Sequence, residues 1–271
     1  MSEMTLNARV AQRTELAPGL LILRVAPEGW SLPDFIPGQF TVLGLPGLAK
    51  RCEEAEPETL AQDPQKLIRR AYSIASSSIE KEYLEFYISL VRSGALTPRL
   101  FALRLGDRVW LSPKMTGMFT LRDVPEDKHV VFIATGTGLA PYMSMLRTHL
   151  EAGGPRKFAI LHGAYHSWDL GYRTELFTLQ RLCRNLAYLP ILSDPQGELV
   201  PWKGASGFVQ DLWTGGALAA VWGFQPTPEN THVFLCGHPA MIQSVTLLLT
   251  GQGFIEHSAG TPGHIHAEKY W

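Results

Sequence analysis

The texture of the chain changes near Asp123, and that change limits the fold more than any other feature. Before it, apolar residues come in short alternating runs, "LLILRVAP", "GQFTVLGLP", "RRAYSIAS", "YLEFYISLV" and "RVWLSP", separated by Gly, Pro or charged turns. Alternation with a period of two marks half-buried strands, and several at this spacing predict a closed antiparallel barrel. After it, "KHVVFIATGTGLAPYMSMLRTHLEAGG" runs from an unbroken apolar strand through a glycine turn into a helical period. "KFAILHGAY" with "DLGYRTELFTLQRLCRN", "LAYLPILS" with "GFVQDLW", and "THVFLCGHPAMIQSVTLLLTGQG" repeat the form. Apolar strands alternating with helices predict a parallel sheet covered on both faces. The expected fold is therefore a two-domain β plus α/β chain: an N-terminal antiparallel β-barrel over 1–124, then a Rossmann-like parallel-sheet domain over 125–271.

The 271 residues are enough for two modest cores, and 18% charged residues argues against disorder. A formal net charge of −1 gives no footing for nucleic acid. The opening "MSEMTLNARVAQRTEL" lacks the apolar core of a signal peptide, and no run reaches the ~18 apolar residues of a membrane span. Three scattered cysteines, Cys52, Cys183 and Cys236, fit free thiols in a reducing, cytoplasmic setting and are too few for a four-cysteine cluster. The acidic stretch "AKRCEEAEPETLAQDPQK" interrupts the barrel pattern. It reads as a surface loop with a short helix, or as a disordered insertion.

Three short motifs carry chemistry. In "RAYS", Arg70, Ala71, Tyr72 and Ser73 place polar groups on a strand whose sheet needs none. "GTGLAP", with Thr135 before Gly136, Thr137, Gly138 and Pro141, sits where a strand's carboxyl end meets a helix. Glycines there let the backbone approach a ligand, and a helix start favours phosphate. Alone, the turn serves a tight βα connection equally well. "CGHPAM" is a second strand end, bearing Cys236, Gly237, Pro239 and Met241. Its thiol is either a small buried hydrophobe or a group beside a reacting ring. His257, His264 and His266 match no metal-ligand spacing and read as a wet tail, so no metal is expected; His162 and His166 read as structural or nucleotide-facing.

In fixed order, "PGQF", "RAYS", "GTGLAP", "CGHPAM" and a closing "AEKYW" resemble the ferredoxin/flavodoxin–NADP reductases of the bacterial type that ends in Tyr-Trp. The resemblance spans nearly the whole chain. It implies an FAD-binding barrel followed by a nicotinamide-nucleotide domain. It implies that Arg70 pairs with the FAD diphosphate, Tyr72 stacks on the isoalloxazine and Ser73 bonds near flavin N5. Tyr87 and Ser89 become further FAD contacts, and Gly94, Ala95, Leu96 and Thr97 ("GALT") a diphosphate turn to which Thr97 adds a hydroxyl. Thr135 touches the flavin and opens the nucleotide loop. Cys236 lies beside the nicotinamide, Trp271 on adenine, Ala267 to Tyr270 around the ring, and Glu268 relays a proton near N5. Catalysis is thus expected of Ser73, Cys236 and Glu268.

The implied reaction is hydride transfer between NAD(P)H and flavin N5, with single electrons passed to or from a separate ferredoxin or flavodoxin. A flavin or ferric reductase without protein acceptor is one alternative. A non-catalytic flavin relay subunit is another, disfavoured because both nucleotide motifs are intact. Where NADP-specific relatives usually carry arginines, this chain has Tyr165, Asp194 and Phe208. An aspartate at a strand end accepts from a ribose 2′-OH and repels a 2′-phosphate, so the expectation leans to NADH or dual use, with Arg173, Arg184 or Lys203 as other sources of charge. Neither half of the chain has a basic excess to steer an acidic partner. A monomer is expected.

Overall fold

The computed structural model describes residues 6–60 and 62–269. The chain divides into two compact units. One holds the residues through Thr120 together with Ala140–Thr148; the other holds Leu121–Leu139 and the residues from His149 onward.

The first unit is built on β1 (Ala8–Ala17), β2 (Leu20–Pro27), β3 (Phe40–Pro46), β4 (Leu67–Ser73) and β5 (Leu84–Ser89), then helix α1 (Thr97–Phe101) and β6 (Arg108–Leu111). These six strands run in the order β4-β3-β6-β1-β2-β5. All pairings are antiparallel. The two end strands meet where Ile74 bridges Phe86 and Ala75 N–H donates to the Glu85 carbonyl at 2.8 Å, which closes the barrel. Alternate residues of β2, Leu21, Leu23 and Val25, fill the interior with Leu43, Leu84, Phe86, Val109 and Leu111. The sequence pattern missed β1, because "ARVAQRTELA" offers only small apolar residues, Ala8, Val10 and Ala17, to the inside.

A buried carboxylate lies within this unit. Glu85 on β5 is 1% exposed and accepts from Arg24 Nε and Arg147 Nη1, both at 2.7 Å. Arg147 belongs to helix α2 (Ala140–His149), and its Nη1 also donates to the Ala75 carbonyl at 2.8 Å.

The second unit carries β7 (His129–Thr135), β8 (Phe158–Ala164), β9 (Leu186–Leu192), β10 (Ala205–Ser206), β11 (Thr231–Cys236) and β12 (Ile265–Glu268). Its helices are α3 (Arg173–Leu182), α4 (Val209–Thr214), α5 (Ala217–Trp222) and α6 (Pro239–Thr250). The order is β10-β9-β8-β7-β11-β12, parallel throughout. From β7 the chain winds outward through β8 and β9, then returns to β11 on the other side. The reversal places a topological switch point between the carboxyl ends of β7 and β11, the usual ligand crevice of such sheets.

The tail is the last strand of this sheet, which sequence did not show. Its histidine is not wet, and His257 and His264 before it are half-buried. His266 is buried, stacks on Phe234 at 4.3 Å between centroids, and shares a 3.0 Å hydrogen bond with His232. His257 lies 4.5 Å from His266, centroid to centroid. Burial, with neighbouring imidazoles, pushes His266 down to about 3 and His232 to about 4. Burial alone pushes His162, bonded through Nδ1 to the Tyr188 hydroxyl at 3.2 Å, to about 4. The fold therefore holds these rings neutral, while an unfolded histidine binds its proton near pH 6.5. Their stabilisation is complete above that pH and is lost as pH falls from about 6.5 toward 4. Each ring adds about 1.4 kcal/mol per pH unit to the slope over that window. His266→Asn is expected to flatten urea-derived stability against pH by one such increment; an unchanged slope would refute the neutral stack.

Candidate functional site

On the barrel, β4 pairs with β3 so that Tyr72 faces Thr41 in register and Arg70 faces Leu43. Because side chains alternate along a strand, neighbouring arginines diverge. Arg69 lays its guanidinium 4.2 Å over the Trp110 ring. Arg70 is exposed, donates only to the Arg69 carbonyl at 2.7 Å, and has no carboxylate partner among the described residues. Tyr72 packs edge-on against Phe86 at 6.4 Å. Burial pushes its phenol far above the ordinary value, so the ring stays neutral at any working pH. Ser73 and Tyr87 are buried and Ser89 is half-buried on the neighbouring strand positions.

The Gly94–Thr97 turn precedes α1. Gly94 N–H closes onto the Val91 carbonyl at 2.8 Å. Thr97 Oγ1 accepts from Val91 N–H at 3.0 Å and donates to the Val91 carbonyl at 3.1 Å. Thr97 Oγ1 thereby ties the turn back to Val91. The N–H groups of Ala95 and Leu96 make no protein hydrogen bond among the described residues. An exposed guanidinium, a neutral aromatic face and two open N–H groups suit a flat ligand carrying a diphosphate.

In the α/β unit, the GTG turn and the CGHP turn press on each other. A Cβ on Gly138 would run into the Cys236 carbonyl, and one on Gly237, at φ +140°, into Thr135. Thr135 Oγ1 accepts from His238 N–H at 2.8 Å. These glycines are therefore needed for turn-on-turn contact. Gly136 differs: at φ +55° a Cβ there would meet nothing within 4 Å. Thr137 follows it in the same single turn of 3-10 helix, and Pro141 is buried in the first turn of α2.

Cys236 ends β11 and is fully buried. Register sets it beside Ala134 on one side and Glu268 on the other. Ala267 pairs with Leu235 and is exposed, while Glu268 is half-buried. Two residues expected to serve catalysis, 32 positions apart, are thus strand neighbours at the switch point. Pro239 is exposed at the start of α6, but Met241 packs into the hydrophobic core beside Val245 and Leu249. From its position on α6, Met241 points at the sheet. Tyr270 and Trp271 lie outside the described residues.

At the far edge, Asp194 N–H donates to the Tyr165 carbonyl at 3.1 Å, which seats the two residues side by side. Asp194 Oδ2 lies 3.5 Å from His166 Nε2. Tyr165 and Phe208 are large exposed aromatics. Arg173 is turned to the rings of Trp202 and Phe177, at 4.9 and 5.7 Å. It lines, with Lys203 and Glu198, a cavity of roughly 610 Å³. Among the described residues no group of three His, Cys, Asp or Glu side chains is placed to hold a metal, and no helix is long and apolar enough to cross a membrane.

Residues 132–246 match the family described as Oxidoreductase NAD-binding domain. The flavodoxin/ferredoxin–NADP reductase of Escherichia coli (strain K12) is 32% identical over 88% of each chain. That of Buchnera aphidicola (strain Bp) is 30% identical over 89% of each. A ferredoxin NADP+ reductase from Neisseria gonorrhoeae, solved with bound FAD and NADP, has the same fold, with TM-score 0.79 and 22% identity over the whole of both chains. Its barrel, its parallel sheet and these relatives together show that the chain belongs to the flavodoxin/ferredoxin–NADP reductase family of oxidoreductases.

Proposed function

We propose that the chain is an FAD-dependent reductase that exchanges hydride with a nicotinamide nucleotide and passes single electrons to or from a ferredoxin or flavodoxin. The observation that carries this reading is the polar face of β4, with an exposed, carboxylate-free Arg70 beside a neutral, half-buried Tyr72. FAD, when bound, takes electrons from nicotinamide as a pair and releases them singly. Arg70 would grip its diphosphate through a planar fork, with the Ala95 and Leu96 N–H groups adding donors. Tyr72 would offer its ring face, and Ser73 a hydroxyl toward N5. In the α/β unit, Gly136 would admit the coenzyme diphosphate. Cys236 would border the nicotinamide and Glu268 hold or deliver a proton. The working form is taken as a cytoplasmic monomer.

Tyr165, Asp194 and Phe208 support NADH, or use of both coenzymes: beside the exposed Tyr165 stands a carboxylate that suits a ribose diol and repels a 2′-phosphate, and Phe208 brings no charge. Asp194→Arg is expected to raise the NADPH/NADH ratio of kcat/KM about tenfold, for one added charge-assisted contact; an unchanged ratio removes Asp194 from the coenzyme site. Anaerobic stopped-flow mixing with each coenzyme tests the reaction itself. Rapid flavin bleaching by either supports the enzyme, and none by both favours a relay role. Cytochrome c reduction with and without added ferredoxin or flavodoxin separates a protein acceptor from a small one.

A further inference from the structure

Among the described residues, the acidic stretch between β3 and β4 is neither helical nor detached. Its base closes where Gly47 N–H donates to the Lys66 carbonyl and Leu48 N–H to that of Pro64, both at 3.1 Å. Among the described residues, its body is bonded to residues 92–99. Glu56 N–H donates to the Arg92 carbonyl at 3.0 Å and Cys52 N–H to the Pro98 carbonyl at 2.9 Å. Arg51 Nη2 reaches the carbonyls of Arg92 and Gly94, at 3.1 and 3.3 Å. Glu58 forms a two-pronged ion pair with Arg99, at 2.8 and 3.0 Å. Arg99, only 3% exposed, also donates to the Ala95 carbonyl at 2.6 Å and to that of Gly47.

These bonds have a directional consequence. In a planar trans peptide, C=O and the following N–H point opposite ways. Arg51 holds the Gly94 carbonyl, which turns Ala95 N–H to the other side; Arg99 holds the Ala95 carbonyl, which does the same for Leu96 N–H. Those are the two N–H groups left open. A buried guanidinium keeps its place only while paired, and its carboxylate comes from the inserted stretch. We propose that residues 51–58 are a clasp that fixes the Gly94–Leu96 peptides in the orientation that receives the FAD diphosphate, with Glu58 as a positioning residue acting through Arg99. The proposal rests on the reading that this turn meets that diphosphate.

The test uses FAD-loaded protein and reads the ³¹P resonances of the bound diphosphate, the FAD dissociation constant and the visible circular dichroism of the ring. Glu58→Gln is expected to shift the ³¹P resonances and to weaken FAD about tenfold, through lost preorganisation, while the ring's dichroism stays as in wild type. Glu58→Asp should restore part of the affinity. Arg51→Ala, which leaves the ion pair intact, should move the same resonances to a smaller extent and serves if Glu58→Gln does not fold. Wild-type ³¹P resonances at their free-FAD positions would overturn the placement of the diphosphate and the clasp with it. Resonances shifted in wild type but unmoved in both variants would overturn the clasp alone.

Discussion

Replacing Glu85 by alanine is expected to lower the unfolding free energy by about 3–5 kcal/mol, the usual loss when one partner of a buried ion pair is removed. Arg24 and Arg147 would be left facing each other without the carboxylate they share. For a chain of this size the melting temperature should fall by about 2–4 °C per kcal/mol. The cost arises from stranded positive charge more than from lost attraction, so Glu85→Leu combined with Arg147→Met should recover much of it. Denaturant unfolding checks both. A single variant within about 1 kcal/mol of wild type would contradict the buried network, since losses that small are ordinary for positions without one.

Arg70→Ala is expected to weaken FAD about 10- to 100-fold, the equivalent of about 1.5–3 kcal/mol for hydrogen bonds to a charged group. Arg70→Lys keeps the charge but not the planar fork and should lie between. Arg69→Ala is the internal control. Strand alternation sends Arg69 to Trp110, on the opposite side, so FAD affinity should hold within about twofold. Fluorescence titration of apoprotein decides the matter. Equal losses in Arg69→Ala and Arg70→Ala would mean that a general positive field, not a directed contact, holds the ligand.

Much of the architecture was legible in sequence because hydrophobic period reports burial directly. β7 is buried throughout its middle and reads as an unbroken apolar run; β2 is buried on alternate residues and reads as alternation. What escaped did so for physical reasons. β1 turns small residues inward and gives five of its ten positions to polar or charged side chains. β12 hides because it buries only Ile265 and a neutral imidazole stacked on Phe234, and histidine looks polar in a list of letters. The acidic stretch looks like loose surface, yet Glu58 is bound to Arg99, 41 residues on, and no local pattern announces such a pair.

The site was legible as motifs and less so as geometry. Motif order brought Cys236 and the tail into one family pattern, but only the strand register shows Cys236 and Glu268 side by side. "CGHPAM" does not reveal that Met241 faces the core, since that follows from its place on α6. Nor does "GALT" reveal that Thr97 has given its proton to Val91.

Titration of the apoprotein with FAD measures most directly whether the polar strand of the barrel exists to hold a flavin. One tightly bound FAD per chain, with quenched flavin fluorescence and a structured visible spectrum, is the result expected. Protein that stays colourless and leaves added FAD fluorescing as in free solution would contradict it.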